Sequence, residues 1–452
     1  MTSTRWLAEY AWLPEQAEPT PEVLIETVNG RITAVTPLSP GDPPHAGVDV
    51  LADAVRLPGL TLPGLANAHS HAFHRALRGH THGGRGDFWS WRDQMYAVTS
   101  RLDPDSYLAL ARAVYAEMAL AGITCVGEFH YLHHGAGGTP YDDPNAMGAA
   151  LVEAAAHAGI RLTLLDTCYL TASVDGRPLT GSQLRFGDGD ALRWADRVTA
   201  FTPDGEHARL GAAIHSVRAV PAEQLATVAG WAHRRDAPLH VHLSEQPAEN
   251  DACRAVHGRT PTGLLADHGV LGPSTTAVHA THPTSGDINL LGESRTGVCL
   301  CPTTERDLAD GIGPARRMAD AGIPLSLGSD SHAVIDPFEE ARAVELDERL
   351  RTRKRGHFAP VELLTAASAA GHAALGWTDA GRIAVGDRAD LVTVRLDSVR
   401  TAGVSPAGVW FAASAADVAQ VVVDGRVLVR DGHHLTVDVA QELADAIAEV
   451  IA

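Results

Sequence analysis

Lysine is almost missing from this chain of 452 residues: it occurs once, as Lys354. The other basic residues are arginine, a bias that fits a GC-rich genome better than a functional pressure. It still has a chemical consequence. No lysine falls in any predicted strand, which argues against a pair of metal ions bridged by a modified lysine. Cysteine is scarce as well. The thiols are Cys125, Cys168, Cys253, Cys299 and Cys301, an odd number with no Cys-x-x-Cys among them. That excludes a disulfide framework and a thiolate zinc site, and favours buried thiols in a reducing compartment. No apolar run approaches the roughly 20 residues needed to span a bilayer. Met1 to Pro14 lacks a basic region followed by an apolar core, so a cytoplasmic location is expected. Positive charge is in deficit: the net charge of -19 argues against nucleic acid and anionic membrane as partners and leaves a small molecule.

What the chain does have is apolar content, 45% of residues, enough for a large core. Eight β-like runs follow one another, most with an Ala-rich helical pattern after them: Leu60–Ala68, Ile123–Phe129, Arg161–Cys168, Arg209–His215, Pro238–Ser244, Thr275–Thr281, Gly297–Cys301 and Pro324–Asp330. Several helices end in a Gly-containing turn, as at Ala121-Gly122-Ile123 and Ala321-Gly322-Ile323. Near-continuous apolar strands alternating with helices indicate parallel strands covered on both faces, and eight of them indicate an α/β fold, a (β/α)8 TIM barrel. The flanks read as hairpins. Val23 to Val35 turns at Asn29-Gly30, and Val421 to Val429 turns at Asp424-Gly425. The simplest organisation is a small β-sandwich domain built from both termini. Residues 1–57 supply its first part, 58–384 form the barrel, and 385–452 supply the rest with a terminal helix.

Chemistry concentrates at the ends of the predicted strands. Ala68-His69-Ser70-His71 sets two imidazoles on one face, because strand side chains repeat every second residue. His242 ends the fifth run and Asp330 the eighth. Barrel enzymes gather their reactive groups at this end of the strands. Three imidazoles and a carboxylate suit zinc, with iron or another divalent metal as the alternative, and an open position would hold water. His240, on the same strand as His242, reads as a hydrogen-bonded core residue. The fourth run ends in His215 where a bridging lysine would otherwise stand, so one metal per chain is expected. Glu245 follows His242 by three residues, where the chain begins to turn, so its carboxylate also faces the mouth. His279, at the end of the sixth run, is a second group able to move a proton or orient water. Hydrolysis of a C=N group needs an activated water, a proton for the departing nitrogen and a group that takes the proton from water. Glu245 and Asp330 can divide the last two tasks.

This set resembles the amidohydrolase superfamily, and His242-Leu243-Ser244-Glu245 resembles its deaminase branch. Five segments are similar, more narrowly, to the formimidoylglutamate deiminases. They are Asn67 to Phe73, Glu128-Phe129-His130-Tyr131-Leu132-His133-His134, His215-Ser216-Val217-Arg218-Ala219, His242 to Pro247, and Cys301-Pro302-Thr303-Thr304-Glu305-Arg306-Asp307-Leu308. The resemblance implies hydrolysis of N-formimidoyl-L-glutamate to N-formyl-L-glutamate and ammonia, in histidine degradation. It implies zinc on His69, His71, His242 and Asp330, proton transfer by Glu245 and His279, and a homodimer. It also implies that the substrate's two carboxylates meet Arg92, Tyr131, His215 and Arg218. Arginine forks match carboxylates independently of any family. His74 stands where that family is expected to carry Gln; either side chain can donate a hydrogen bond to a carboxylate. The rival reading is another aminohydrolase, acting on a purine, triazine or other amidine. A ring substrate calls for stacking aromatics, and aromatics make up only 5% of the chain. Metal analysis of the purified protein should return one equivalent per chain; two equivalents would reject the mononuclear reading.

Overall fold

The computed structural model describes residues 3–38, 53–81 and 88–451; in the helix Phe88–Thr99 the side chains of residues 88–90, 92 and 93 are not included. The side chain of the expected substrate contact Arg92 therefore lies outside what is described.

Eight parallel strands follow one another round a barrel: Leu65–Ser70, Ile123–His130, Arg161–Cys168, Ala208–Ile214, Leu239–Leu243, Thr275–His279, Gly297–Leu300 and Leu325–Leu327. A parallel bridge between Ser70 and Asp330 brings the last edge back to the first and nearly closes the ring. The second and third strands are buried along their whole length, as expected of strands with helices outside and packed side chains inside. All five cysteines are buried and free. Among the described residues no helix is long and apolar enough to cross a membrane.

The first run expected as one barrel strand is two strands. Val55–Pro63 belongs to the other sheet, and the barrel begins at Leu65. Pro63 has no N–H to continue a ladder. Gly64 lets the chain pass close to its neighbours, since a Cβ there would lie 2.4 Å from Thr124 Oγ1. The Pro-Gly pair thus moves the backbone from one sheet to the next without a loop.

The second sheet takes strands from both ends of the chain. It is one mixed sheet of eight strands, in which Val55–Pro63 pairs in parallel with Ser3–Ala11 and antiparallel with Leu391–Val394. Both predicted hairpins are present. Their turn pairs, Asn29-Gly30 (φ 49° and 78°) and Asp424-Gly425 (φ 47° and 73°), have the left-handed backbone that a tight hairpin turn requires. Trp6, Val23, Ile25, Leu57, Leu391 and Val422 pack a core of their own beneath it. The terminal helix Val439–Ile451 ties back to the helix Pro104–Leu120 through Arg112 and Glu442, 2.6 Å apart.

Charge joins the two sheets. Arg161 opens the third barrel strand fully buried, paired with Asp390 and, at 3.1 Å, with Asp424 of the C-terminal hairpin. The Trp377 ring has the guanidinium groups of Arg209, Arg388 and Arg161 at 3.9, 5.0 and 5.5 Å from its centroid. His240 donates to Ala374 O at 3.0 Å, the core role expected of it. Replacing Arg161 by Met would leave Asp390 buried without its partner. A loss of about 3–5 kcal/mol is expected, read as a shift in urea midpoint, and the double variant Arg161→Met with Asp390→Asn should recover part of it. A loss below about 1 kcal/mol for the single variant would show that the pair does not join the sheets.

Candidate active site

Every candidate ligand stands at the C-terminal end of the barrel. His69 is next to last in its strand and His71 comes just after it; His242 is next to last in its own, and Asp330 lies just past Leu327. His71 donates from Nδ1 to Phe129 O and His242 donates from Nδ1 to His215 O, each at 2.9 Å. A neutral ring that donates from Nδ1 presents a lone pair at Nε2. Those lone pairs converge. His242 Nε2 lies 3.1 Å from His69 Nε2, while Asp330 Oδ1 lies 3.2 Å from His69 Nε2 and 3.3 Å from His71 Nε2. Burial lowers the pKa of His69, pushes His71 down to about 3 and holds His242 well below the ordinary range, with the neighbouring imidazoles acting in the same direction. Neutral imidazoles facing one another and a carboxylate at this range fit a cation, and the donor set is that of a divalent transition metal.

The residues between these groups hold them in place. Glu128 accepts from Ser70 Oγ and from Ala72 N, both at 2.7 Å, and so grips each neighbour of His71. Burial pushes its pKa up to about 7. Ser70 Oγ also meets His332 Nε2 at 3.1 Å, and His332 Nδ1 meets Ser329 Oγ at 3.0 Å. Asn67 donates to Ser329 Oγ at 2.6 Å and accepts from Ser329 N at 2.9 Å. This chain of bonds stitches the last strand to the first. Gly328 permits it, because a Cβ there would fall 2.8 Å from His69 Cβ. Ser244, His279 and Asp330 adopt left-handed backbone, with φ of 51°, 68° and 44°. Such strain in non-glycine residues is held by surrounding structure and gathers at functional sites.

Beside the ligand group lie the candidate proton carriers. His279 Nε2 is 3.8 Å from Glu245 Oε1 and 3.9 Å from Asp330 Oδ2, and its Nδ1 is 3.5 Å from Glu305 Oε1. Burial alone would lower the His279 pKa, but the three carboxylates outweigh it and raise it well above the usual value. Burial also raises Glu245, pushes Glu249 up to about 7 and pushes Asp310 up to about 8. His282, close in sequence to His279, bonds Asp310 O at 2.7 Å instead. Asp330 caps no helix; the helix Pro337–Thr352 is capped by Asp336.

Part of this group opens on a cavity of about 1,120 Å³. His71, His242, His279, Glu245 and Asp330 line it. His74, Tyr131, His215 and Arg218 line it too, so four of the five expected substrate contacts face the same space. His74 Nε2 lies 3.1 Å from Tyr131 Oη, and Arg218 donates to Tyr169 Oη at 3.3 Å. Tyr169, Glu249 and Glu305 went unassigned in the sequence. Tyr169 had a signal, since it follows directly on the strand Arg161–Cys168. Glu305 and Glu249 sit inside short helices, where no strand-end rule points to them. The low aromatic content also misled: Trp91, Tyr96, Tyr131, Tyr169 and Phe186 all line the cavity. A further group, His130, His133 and Asp166, lies apart from it, and there Asp166 already accepts from Trp194 and from both terminal nitrogens of Arg197.

The sequence profile of the amidohydrolase family matches residues 60–428. The chain belongs to the amidohydrolase family. Within it, the chain is 39% identical over 403 residues to a formimidoylglutamate deiminase of Pseudomonas aeruginosa, covering 85% of this chain and 88% of that protein. It is 31% identical over 426 residues to a 5-methylthioadenosine/S-adenosylhomocysteine deaminase of Halobacterium salinarum, covering 93% and 90%. The crystal structure of an amidohydrolase from Brucella melitensis superposes with a TM-score of 0.88 at 31% identity, covering 99% of this chain and all of that one.

If the convergent lone pairs bind a metal, the metal stabilises the folded amidohydrolase barrel. Chelator treatment, or His242→Asn, should remove it and lower the melting temperature, since a ligand at 1,000 times its Kd contributes about 4 kcal/mol. Unchanged metal content and an unchanged melt in the variant would remove His242 from the set.

Proposed function

We propose that this chain is a metal-dependent deiminase that hydrolyses N-formimidoyl-L-glutamate to N-formyl-L-glutamate and ammonia, a step of histidine degradation. The observation that carries this reading is the polarity of one cavity. Acidic residues and His279 stand at the metal-binding end, and Arg218, His74, Tyr131 and His215 bring hydrogen-bond donors to the same cavity. A substrate with a cationic amidine head and a dianionic tail matches both. The 39% identity to a deiminase named for this substrate supports the same choice.

His69, His71, His242 and Asp330 would hold one divalent metal, and imidazole with carboxylate suits zinc. Bound there, the metal supplies the Lewis acidity that makes water a nucleophile near neutral pH. The chain's own residues do the rest. Asp330 takes a proton as water adds to the amidine carbon. That proton reaches Glu245, which delivers it to the amine nitrogen of the adduct; the C–N bond breaks as the adduct's hydroxyl loses its proton, and ammonium leaves. His279 Nε2, between Glu245 and Asp330, passes protons from one to the other. Arg218 grips one carboxylate as a fork, with Tyr131, His74 and His215 on the other; Arg92 belongs to the same group by this reading.

A second reading has one observation in its favour. Aromatic walls suit an aminopurine, and Tyr131, Tyr169 and Phe186 supply them. Their rings meet one another at steep angles, with Tyr131 and Phe186 at 79° and Tyr169 and Phe186 at 59°, rather than forming a flat slot.

Ammonia release from N-formimidoyl-L-glutamate should exceed that from adenine, guanine or adenosine, and should stop with a chelator; dominant purine turnover would overturn the choice. Glu245→Gln should keep the metal and lose about 10²- to 10⁴-fold in kcat. A near-normal rate would dismiss Glu245 as the proton donor. Arg218→Met should mainly raise KM, or lower kcat as well if tail binding aligns the imine. Constants that do not move would take Arg218 out of the substrate site.

A further inference from the structure

His279 reaches the cavity from a backbone that does not favour it. Its φ of 68° and the 48° of Ala280 place two successive non-glycine residues in left-handed conformation at the end of the sixth strand. Such a segment keeps one geometry only if its surroundings over-determine it. Part of the restraint is backbone, since Ala280 N donates to Leu243 O at 3.0 Å. That bond fixes the main chain but leaves the ring free to turn over about its own axis. A turned ring would exchange its nitrogen positions for carbon positions, and Nε2 would no longer stand between Glu245 and Asp330.

The ring has one more charged neighbour. Glu305 lies on the short helix Pro302–Asp307, and its side chain folds back so that Oε1 accepts from Cys301 N at 3.0 Å. The same oxygen lies 3.5 Å from His279 Nδ1. The carboxylate is 7% exposed and His279 is 1% exposed, so water does not compete strongly for either. The bond from Cys301 prevents Glu305 from swinging away. The Nδ1 edge of His279 thus faces an anchored carboxylate at ion-pair distance, without a hydrogen bond between them, and its Nε2 edge faces two reactive carboxylates.

We propose that Glu305 is a positioning residue: it holds the Nδ1–H of His279, and thereby keeps Nε2 as the nitrogen that faces substrate and exchanges the proton. An anion on one ring nitrogen settles both the orientation and the tautomer of an imidazole. This rests on the proposed proton-transfer role of His279. It adds a residue that touches neither substrate nor metal, and whose simplest alternative role is to cap its own helix.

The test uses the metal-loaded full chain. Glu305→Gln keeps an oxygen that can accept from Cys301 N but removes the negative charge beside His279 Nδ1, so a capping role survives it while the anion that sets the ring is lost. The expected result is a fall in kcat of about 10- to 100-fold, the usual cost of removing a group that orients an imidazole. KM, metal content and melting temperature should hold, and Glu305→Asp should recover part of kcat. In the background of His279→Asn, adding Glu305→Gln should cost no further activity, because Glu305 would then have nothing to orient. Full activity in Glu305→Gln, beside an impaired His279→Asn, would overturn the positioning role and leave the catalytic reading intact. Losses that multiply in the double variant would overturn it too. Normal activity in His279→Asn itself would instead sink the role given to His279, and the inference with it.

Discussion

Ring nitrogens and a carboxylate gathered inside a protein must be compensated, and the mouth of this barrel is built round that requirement. His69 and His242 present Nε2 atoms 3.1 Å apart, with the Asp330 carboxylate 3.2 Å from one of them. Burial keeps these imidazoles neutral, so they do not supply the compensating charge themselves. A divalent metal fits that need. The neighbouring structure answers to the same demand: Glu128 grips both sides of His71, the Ser70–His332–Ser329–Asn67 chain joins the last strand to the first, and Gly328 makes room for that approach.

A second polarity is laid over the first. Carboxylates crowd the region of His279, where burial and mutual repulsion raise the affinity of Glu245 and Asp310 for protons. The same cavity wall also carries donors, Arg218 foremost. A molecule with a cationic head and anionic tail finds partners for both charges in this one cavity. Alignment matters more than affinity here, because binding energy far from the reacting carbon can be used to place it.

Much of this was legible in the residues. The parallel barrel showed in apolar runs ending at Gly turns, and His-x-His showed as a pair on one face because a strand repeats every second residue. His242, His279 and Asp330 stood at the ends of runs, and they do meet at the mouth. Other features were hidden. Leu60–Ala68 reads as one apolar run, yet Pro63 and Gly64 divide it between two sheets, since a fully buried strand looks alike in either. Aromatics at 5% of the chain suggested a pocket without rings, but composition does not say where residues gather, and five of them gather in the cavity. Glu305 had no pattern of its own; it matters through a neighbour distant in sequence, His279.

By itself the sequence determined the elements and the kind of chemistry: strands from their period, turns from Asn-Gly and Asp-Gly, and a metal from imidazoles that share a face. These are local properties, set by the backbone geometry of a few residues. Which groups touch was decided by tertiary structure alone. The distances between His69 and His242, or between His279 and Glu305, depend on how far each strand is staggered around the ring and on how tightly its last edge meets its first. That closure is a sum over the whole barrel, and no short stretch of residues contains it.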